Sequence, residues 1–314
     1  MPRPGPAPLA LAVLLTVLGA LAAAPSRASA APVIGVGEQR GQIFTDPAWA
    51  ALGLRDTRLV VSWDVTSIPF ERADVDGYLA AARAAGARVM VTFGHSRVRS
   101  RAKRLPSVKR YRRAFRAFRK RWPDVRTFVT WNEANHCSQP TCRRPERAAQ
   151  YFDVLRTSCR TCTVVAADVL DSPNMTGWLK RFRRKARHRP RIWGLHNYLD
   201  ANRFRTSGTR ALLRAVRGDV WFTETGGLVE RNNGSRVRLP DSEAHAAEAT
   251  DWLFDRLVRV SRRVKRVYLY HWRPAPEPNP TWDSALLDRS GLPRPAYEVF
   301  RIWVRRTQRA RSGG

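Results

Sequence analysis

Two glutamates stand at matching places in the chain. The stretch FVTWNEANH (128–136) begins as an apolar strand and ends on Trp131-Asn132-Glu133. The stretch WFTETGG carries Glu224 in the same relation to its own apolar run. An acid that closes a buried strand beside an indole is either a charge at the start of the next helix, where the macrodipole favours it, or a reagent. Two such acids across one cleft can hydrolyse a glycosidic bond. One carboxyl protonates the leaving oxygen, while the ionised partner attacks the anomeric carbon or activates water. Mutual repulsion and partial burial push their pKa values apart and so divide the roles.

The elements around them must bring the two acids together. Apolar runs rich in β-branched residues recur at 33–37, 58–63, 88–93, 127–131, 163–167, 191–195, 219–223 and 266–270. Helical periodicity fills the intervals: 74–85, with Val75, Tyr78, Leu79 and Ala82; 107–122, with Tyr111, Phe115, Phe118 and Trp122; 145–158; 242–260; and 295–304. Eight βα units predict a single (β/α)8 TIM barrel. A doubly wound open sheet would carry a Gly-rich phosphate loop after its first strand. Gly35-Val36-Gly37, followed by Glu38-Gln39-Arg40, does not complete that fingerprint.

In such a barrel the site lies at the C-terminal rim of the strands. The candidates are therefore Asn132 and Glu133 from strand four, Glu224 from strand seven, His196 and Tyr198 from strand six, Trp272 from strand eight, His95 from strand three and Asp64 from strand two. Strand alternation puts Val129, Trp131 and Glu133 on one face, and Val220, Phe222 and Glu224 on one face. Both acids are then expected in one mouth. Glu38, Asp168 and Asp171 also end strands and read as structural. His245 with Glu243 and Glu248 lies on an outer helix without an H-E-x-x-H pattern, so no metal and no cofactor are expected. No G-x-S-x-G is present.

On these residues the chain resembles the retaining glycoside hydrolases of clan GH-A, which carry an Asn-Glu pair after strand four and a second Glu after strand seven. The resemblance implies that Glu133 is the acid/base, Glu224 the nucleophile and Asn132 a contact to the sugar 2-hydroxyl. It further implies that His196 or Tyr198 orients the nucleophile or touches sugar, with Trp272 as a stacking floor. Two departures stand out. Ala134 follows the pair where the clan often has Pro, and Trp63-Asp64 ends strand two where the clan often has an Arg close to the nucleophile. The implied activity is double displacement on a β-linked oligo- or polysaccharide. The alternative is a non-catalytic glycan- or polyanion-binding barrel.

Composition adds a partner class. The 314 residues carry 57 basic and 26 acidic side chains, a formal charge of +31, and only six of the basic residues are lysine. Such a surface attracts anionic cell-surface polymers; a solvated basic face produced by arginine-rich coding is the plainer reading. The loop 97–104, with Arg97, Arg99, Arg101, Lys103 and Arg104, is open to the same two readings for an anionic substrate. No specific nucleic-acid partner is expected, and the chain reads as a monomer. Leu9 to Ala24 is an apolar run ahead of an A-x-A pattern, Ala28-Ser29-Ala30. Residues 1–30 are thus expected to be a cleavable signal peptide, with retention as an uncleaved anchor the alternative, 31–304 the catalytic domain and 305–314 a basic tail, on a secreted or cell-wall-associated protein. In an exported chain the four cysteines should be oxidised. A helix of about 13 residues separates Cys137 and Cys142 from Cys159 and Cys162 by roughly 20 Å, so the local pairs Cys137–Cys142 and Cys159–Cys162 are predicted, and a zinc site using all four is excluded.

Overall fold

The computed structural model describes residues 31–312 apart from 233, 235–236 and 276–280, together with residues 1, 2 and 5. The leader read in residues 1–30 lies, but for those three residues, outside the described residues. No helix among the described residues is long and apolar enough to cross a membrane.

Among the described residues, nine parallel strands form one sheet: β1 (Val33–Gly37), β2 (Asp56–Ser62), β3 (Arg88–Gly94), β4 (Thr127–Val129), β5 (Thr163–Val165), β6 (Asp168–Leu170), β7 (Ile192–His196), β8 (Asp219–Thr225) and β9 (Val264–Tyr270). Their order is β5-β4-β3-β2-β1-β9-β8-β7-β6. The two ends are one stretch of chain. β5 pairs with β4, β6 pairs with β7, and between them the Ala166 N–H donates to the Ile192 carbonyl while Gly194 donates to Ala167. The expected fifth strand is therefore present but bent in two, and the sheet closes into an eight-position barrel.

Helices cover the outside: α1 (Pro47–Leu52), α2 (Pro69–Ala84), α3 (Arg99–Ala102), α4 (Val108–Arg121), α5 (Pro145–Ser158), α6 (Met175–Lys185), α7 (Tyr198–Asn202), α8 (Ser207–Ala215), α9 (Glu243–Trp252) and α10 (Pro295–Ser312). Their limits follow local chemistry. Asp46 caps α1 by accepting from the Ala48 N–H, Pro47 supplies the preset first turn, and Gly53 at φ +61° ends it. Ser107 and Ser242 cap α4 and α9 in the same way. α10 corrects an expectation. Residues 305–312 are not a tail but its last turns, and Gln308 and Arg311 donate to the carbonyls of Leu52 and Ala31.

The barrel interior is layered. Met90, Val129, Val165, Trp221 and Tyr268 form an apolar plug. One step nearer the C-terminal rim, Arg58, Thr92, Asp168 and Thr223 form a hydrogen-bonded polar layer. Gly194 makes room for it: a Cβ there would stand 2.0 Å from Asp168 Oδ1. The larger apolar cluster fills the gap between sheet and helices, where Phe93 and Phe128 stack at 6.0 Å with Phe115 and Phe118 of α4 edge-on to them. Each fully buried phenylalanine contributes about 1.5–3 kcal/mol of transfer free energy.

The simple alternation expected at the strand ends does not hold. Val129 is in the inner plug, yet Trp131 faces outward onto Tyr111 of α4 and Tyr151 of α5, with ring centroids 6.3 and 5.5 Å apart. β4 has ended at Val129, so the period of two no longer applies. On β8 it is Trp221, not Phe222, that joins the plug. Both cysteine pairs form as the separation argument requires, with Cα atoms 4.9 Å apart for Cys137–Cys142 and 5.4 Å for Cys159–Cys162.

Candidate active site

Glu133 and Glu224 reach the mouth through irregular backbone. Glu133 has φ +44°, a left-handed conformation that a side chain adopts only when its surroundings impose it. It turns the carboxylate back over the barrel after Trp131 has gone outward. Glu224 follows a register shift of β8 against both neighbours and lies opposite His196 of β7. As a result, one ligand atom each from Glu133, His196 and Glu224 lies within 4.8 Å of the others.

A buried guanidinium organises this group. Arg58, in the middle of β2 and fully buried, donates from Nη1 to Glu224 Oε2 at 2.6 Å. Its Nη2 donates to Asn132 Oδ1 at 2.6 Å and to Asp168 Oδ2 at 2.9 Å, and its Nε to Thr92 Oγ1 at 3.1 Å. Tyr198, at the start of α7, donates its hydroxyl to the other oxygen of Glu224 at 3.1 Å. Asp168 also accepts from Thr223 Oγ1 at 2.5 Å. His196 stands between the acids, with Nε2 3.3 Å from Asp168 Oδ2 and Nδ1 3.5 Å from Glu133 Oε1 and 3.9 Å from Glu224 Oε2.

The electrostatics follow from burial set against these charges. Burial disfavours the charge on Arg58, but Glu224 and Asp168 outweigh it and hold its pKa above the ordinary arginine value. Burial likewise works against an imidazolium at His196, yet Glu224, Asp168 and Glu133 raise its pKa to about 9. Burial would lift Asp168 and Glu133, but Arg58 and His196 bring Asp168 down, and His196 brings Glu133 down. Burial and the negative charge of Glu224 push the Tyr198 phenol well above its usual value, so it remains a donor. Glu133, His196 and Glu224 form the one group of three metal-ligating side chains found among the described residues. Arg58 already supplies the counter-charge that a cation would bring to Glu224.

The structure brings together Asn132, Glu133, His196, Tyr198 and Glu224, and leaves three other candidates outside. Trp272 is 1% exposed. Its indole N–H donates to Asp46 Oδ2, and it packs against Trp49 of α1 and Tyr297 of α10. It is a core residue and not a stacking floor. Asp64 is buried under the β2–β3 loops, paired with Arg101 at 2.9 Å and accepting from Ser96. His95 is exposed, with Nδ1 3.2 Å from Gln139 Oε1. Neither lines the cavity that holds the acids. Glu38 ties β1 to the β9 loop by accepting from the backbone N–H groups of Gln39, Arg40, Trp272 and Arg273. His245 meets Asn202, and Glu243 meets Arg294.

Sequence reasoning missed Arg58 and Asp168. The arginine sought near the end of strand two is five residues earlier, where its length carries the guanidinium up to Glu224. The available signal was the alternation of Asp56 and Arg58 inside DTRLVVS, two charges on the inward face of a strand. The whole cavity, about 1310 Å³, runs from the acids past Tyr270 and Trp282 on one side, and towards Arg97, Asp74 and Tyr78 on the other.

No protein-family model matches the sequence, and no curated protein matches it. Solved structures do. A GH10 endoxylanase retrieved from a sugarcane soil metagenome superposes with a TM-score of 0.61 at 15% identity, covering 88% of this chain and 97% of that one. A GH5_18 protein from Streptomyces cattleya, in complex with GlcNAc, gives 0.59 at 17% identity over 90% of this chain and 81% of that one. Xylanase 10B from Thermotoga maritima gives 0.61 at 12% identity over 88% and 96%. The chain thus shares its fold with clan GH-A glycoside hydrolases at low sequence identity.

Proposed function

We propose that the chain is a retaining glycoside hydrolase acting on a β-linked polysaccharide. The observation that carries this reading is the spacing of the acids. A carboxylate oxygen of Glu133 and one of Glu224 lie within 4.8 Å of each other. Retaining enzymes hold their carboxyls about 5–5.5 Å apart, whereas inverting ones leave about 6.5–9.5 Å for a water.

Glu224 is the nucleophile. Arg58 and Tyr198 bind one oxygen each and hold it aimed. Glu133 is the acid/base. Its proton is held in common with His196, whose Nδ1 faces it across 3.5 Å and has no hydrogen-bond partner among the described residues. In the first step Glu133 passes this proton to the leaving oxygen as Glu224 attacks the anomeric carbon. In the second, Glu133 takes a proton from water as the glycosyl ester opens. Asn132 gives its carbonyl oxygen to Arg58, which leaves its NH2 for the sugar 2-hydroxyl. Tyr270 and Trp282 take the platform role first assigned to Trp272.

The cavity exceeds the roughly 300–1,000 Å³ usual for small-ligand sites, which favours internal attack on a chain over removal of a terminal sugar. Arg97 is paired with Glu71 at 3.4 Å and Arg101 with Asp64, so the cations of that loop give weak support to an anionic substrate. Two disulfides agree with an oxidising compartment, and we place the mature chain outside the cytoplasm, cut near Ala31. N-terminal sequencing of the exported product tests the placement. Incubation with a panel of β-glucan, xylan and mannan, followed by trapping with a fluorinated aryl glycoside, tests the chemistry. The label is expected on the peptide containing Glu224. Saccharide binding without turnover or label would assign the non-catalytic alternative.

A further inference from the structure

We propose that the opposite end of the barrel carries a binding groove for a sulfate- or phosphate-bearing polysaccharide. Three cavities of about 740, 330 and 400 Å³ meet around His188, which borders all of them. They lie at the loop between α6 and β7 and at the turn before β8, on the N-terminal rim of the strands and away from the carboxylate mouth.

The lining of the first two cavities is predominantly cationic, and Arg112, Lys185 and Arg187 border the third. Lys180, Arg183, Arg184, Arg187, Arg189 and Arg217 face the largest of these three cavities, and all are exposed. None forms an ion pair with an acid among the described residues. Elsewhere on the surface some exposed arginines do find acids: Arg83 with Asp124, Arg121 with Asp76 and Arg181 with Glu146. Among the described residues one acid borders the groove, Asp153, and it accepts from the backbone N–H groups of Arg187 and His188. Its charge orders the loop and does not neutralise the arginines. Uniform basic composition would scatter such cations over convex surface. Here they line a continuous concavity, where low-dielectric walls strengthen the field.

Shape and lining select the ligand. A row of three cavities suits a chain of spaced anions better than a single ion. Among the described residues the only Phe, Tyr or Trp in the lining is Trp193, 1% exposed, so they offer no aromatic platform of the kind on which nucleic-acid bases stack. Anionic polysaccharide needs charge alone. The mouth stays open while this groove is filled.

The test uses the full mature chain and fluorescent dextran sulfate, with neutral dextran as the blank. One variant replaces Arg184, Arg187, Arg189 and Arg217 by Gln. A control replaces Arg110, Arg113, Arg116 and Arg309, exposed arginines on α4 and α10, and has the same net charge. The groove variant is expected to lose at least about tenfold in affinity and to show a shallower salt dependence, while the control changes by less than about threefold. Thermal melts verify that both variants fold. Equal losses in the two variants, or no binding by the parent chain, would overturn the groove. Tighter binding of double-stranded DNA than of dextran sulfate would overturn the choice of polysaccharide. Binding is read without turnover, so the result stands whether or not Glu133 and Glu224 prove catalytic.

Discussion

The two acids of the mouth are held very differently. Glu224 has a hydrogen bond on each oxygen, one charge-assisted from Arg58 and one from Tyr198. Glu133 has only the imidazole of His196 at 3.5 Å, on a left-handed backbone. The difference follows the chemistry each would perform. A nucleophile gains from being fixed and ionised. An acid/base must exchange a proton twice and follow an oxygen that moves, so a partner that itself titrates serves better than a permanent cation.

The largest effect should come from the fixed acid. Glu224→Gln is expected to lower turnover on polysaccharide by about 10⁴-fold or more, as loss of a nucleophile does elsewhere. A smaller loss in initial-rate measurements would break the assignment. Glu133→Gln should cost about 10²–10⁴-fold on natural substrate but much less on an aryl glycoside whose leaving group needs no proton. Equal losses on both substrates would erase the contrast between the two acids. Tyr198→Phe removes one bond to a charged oxygen, about 1.5–3 kcal/mol, so kcat/KM should fall roughly 10- to 150-fold with the substrate preference unchanged.

The smallest effect concerns pH. The pKa of His196 rises from its unfolded value to about 9. Its charge therefore stabilises the fold fully below the unfolded value, and that contribution is lost as pH rises through about 9. The store of protons for Glu133 empties over the same range. The alkaline limb of kcat/KM is expected near that pH and should be displaced in His196→Asn. A limb that stays in place in the variant would assign it to another group.

Much of this was legible in the sequence. Eight apolar runs gave eight barrel positions because buried parallel strands must be apolar on both faces. Glu133 and Glu224 could be paired from sequence because a barrel's site lies at the C-terminal rim of its strands, and the structure brings both into one mouth. Arg58 and Asp168 were harder to see. A charge within a strand looks like its boundary unless partners from remote strands are known, and those partners come from positions 132, 196 and 224. Trp272 shows the converse. A tryptophan after a strand reads alike as platform or core, and only the packing of α1 and α10 over it decides. The faces of Trp131 and Phe222 were misjudged because alternation was carried beyond β4 and through the irregularity of β8.

Gly194 has no side chain, and this has a consequence for charge. Asp168 fits only because nothing projects from Gly194. Asp168 holds Arg58 and His196, and these hold the two glutamates. Gly194→Ala would alter no ionisable group, yet it would displace the buried anion that balances both cations. The proton inventory of the mouth thus depends on a missing methyl group, whose place Asp168 takes, on a strand that contributes neither acid.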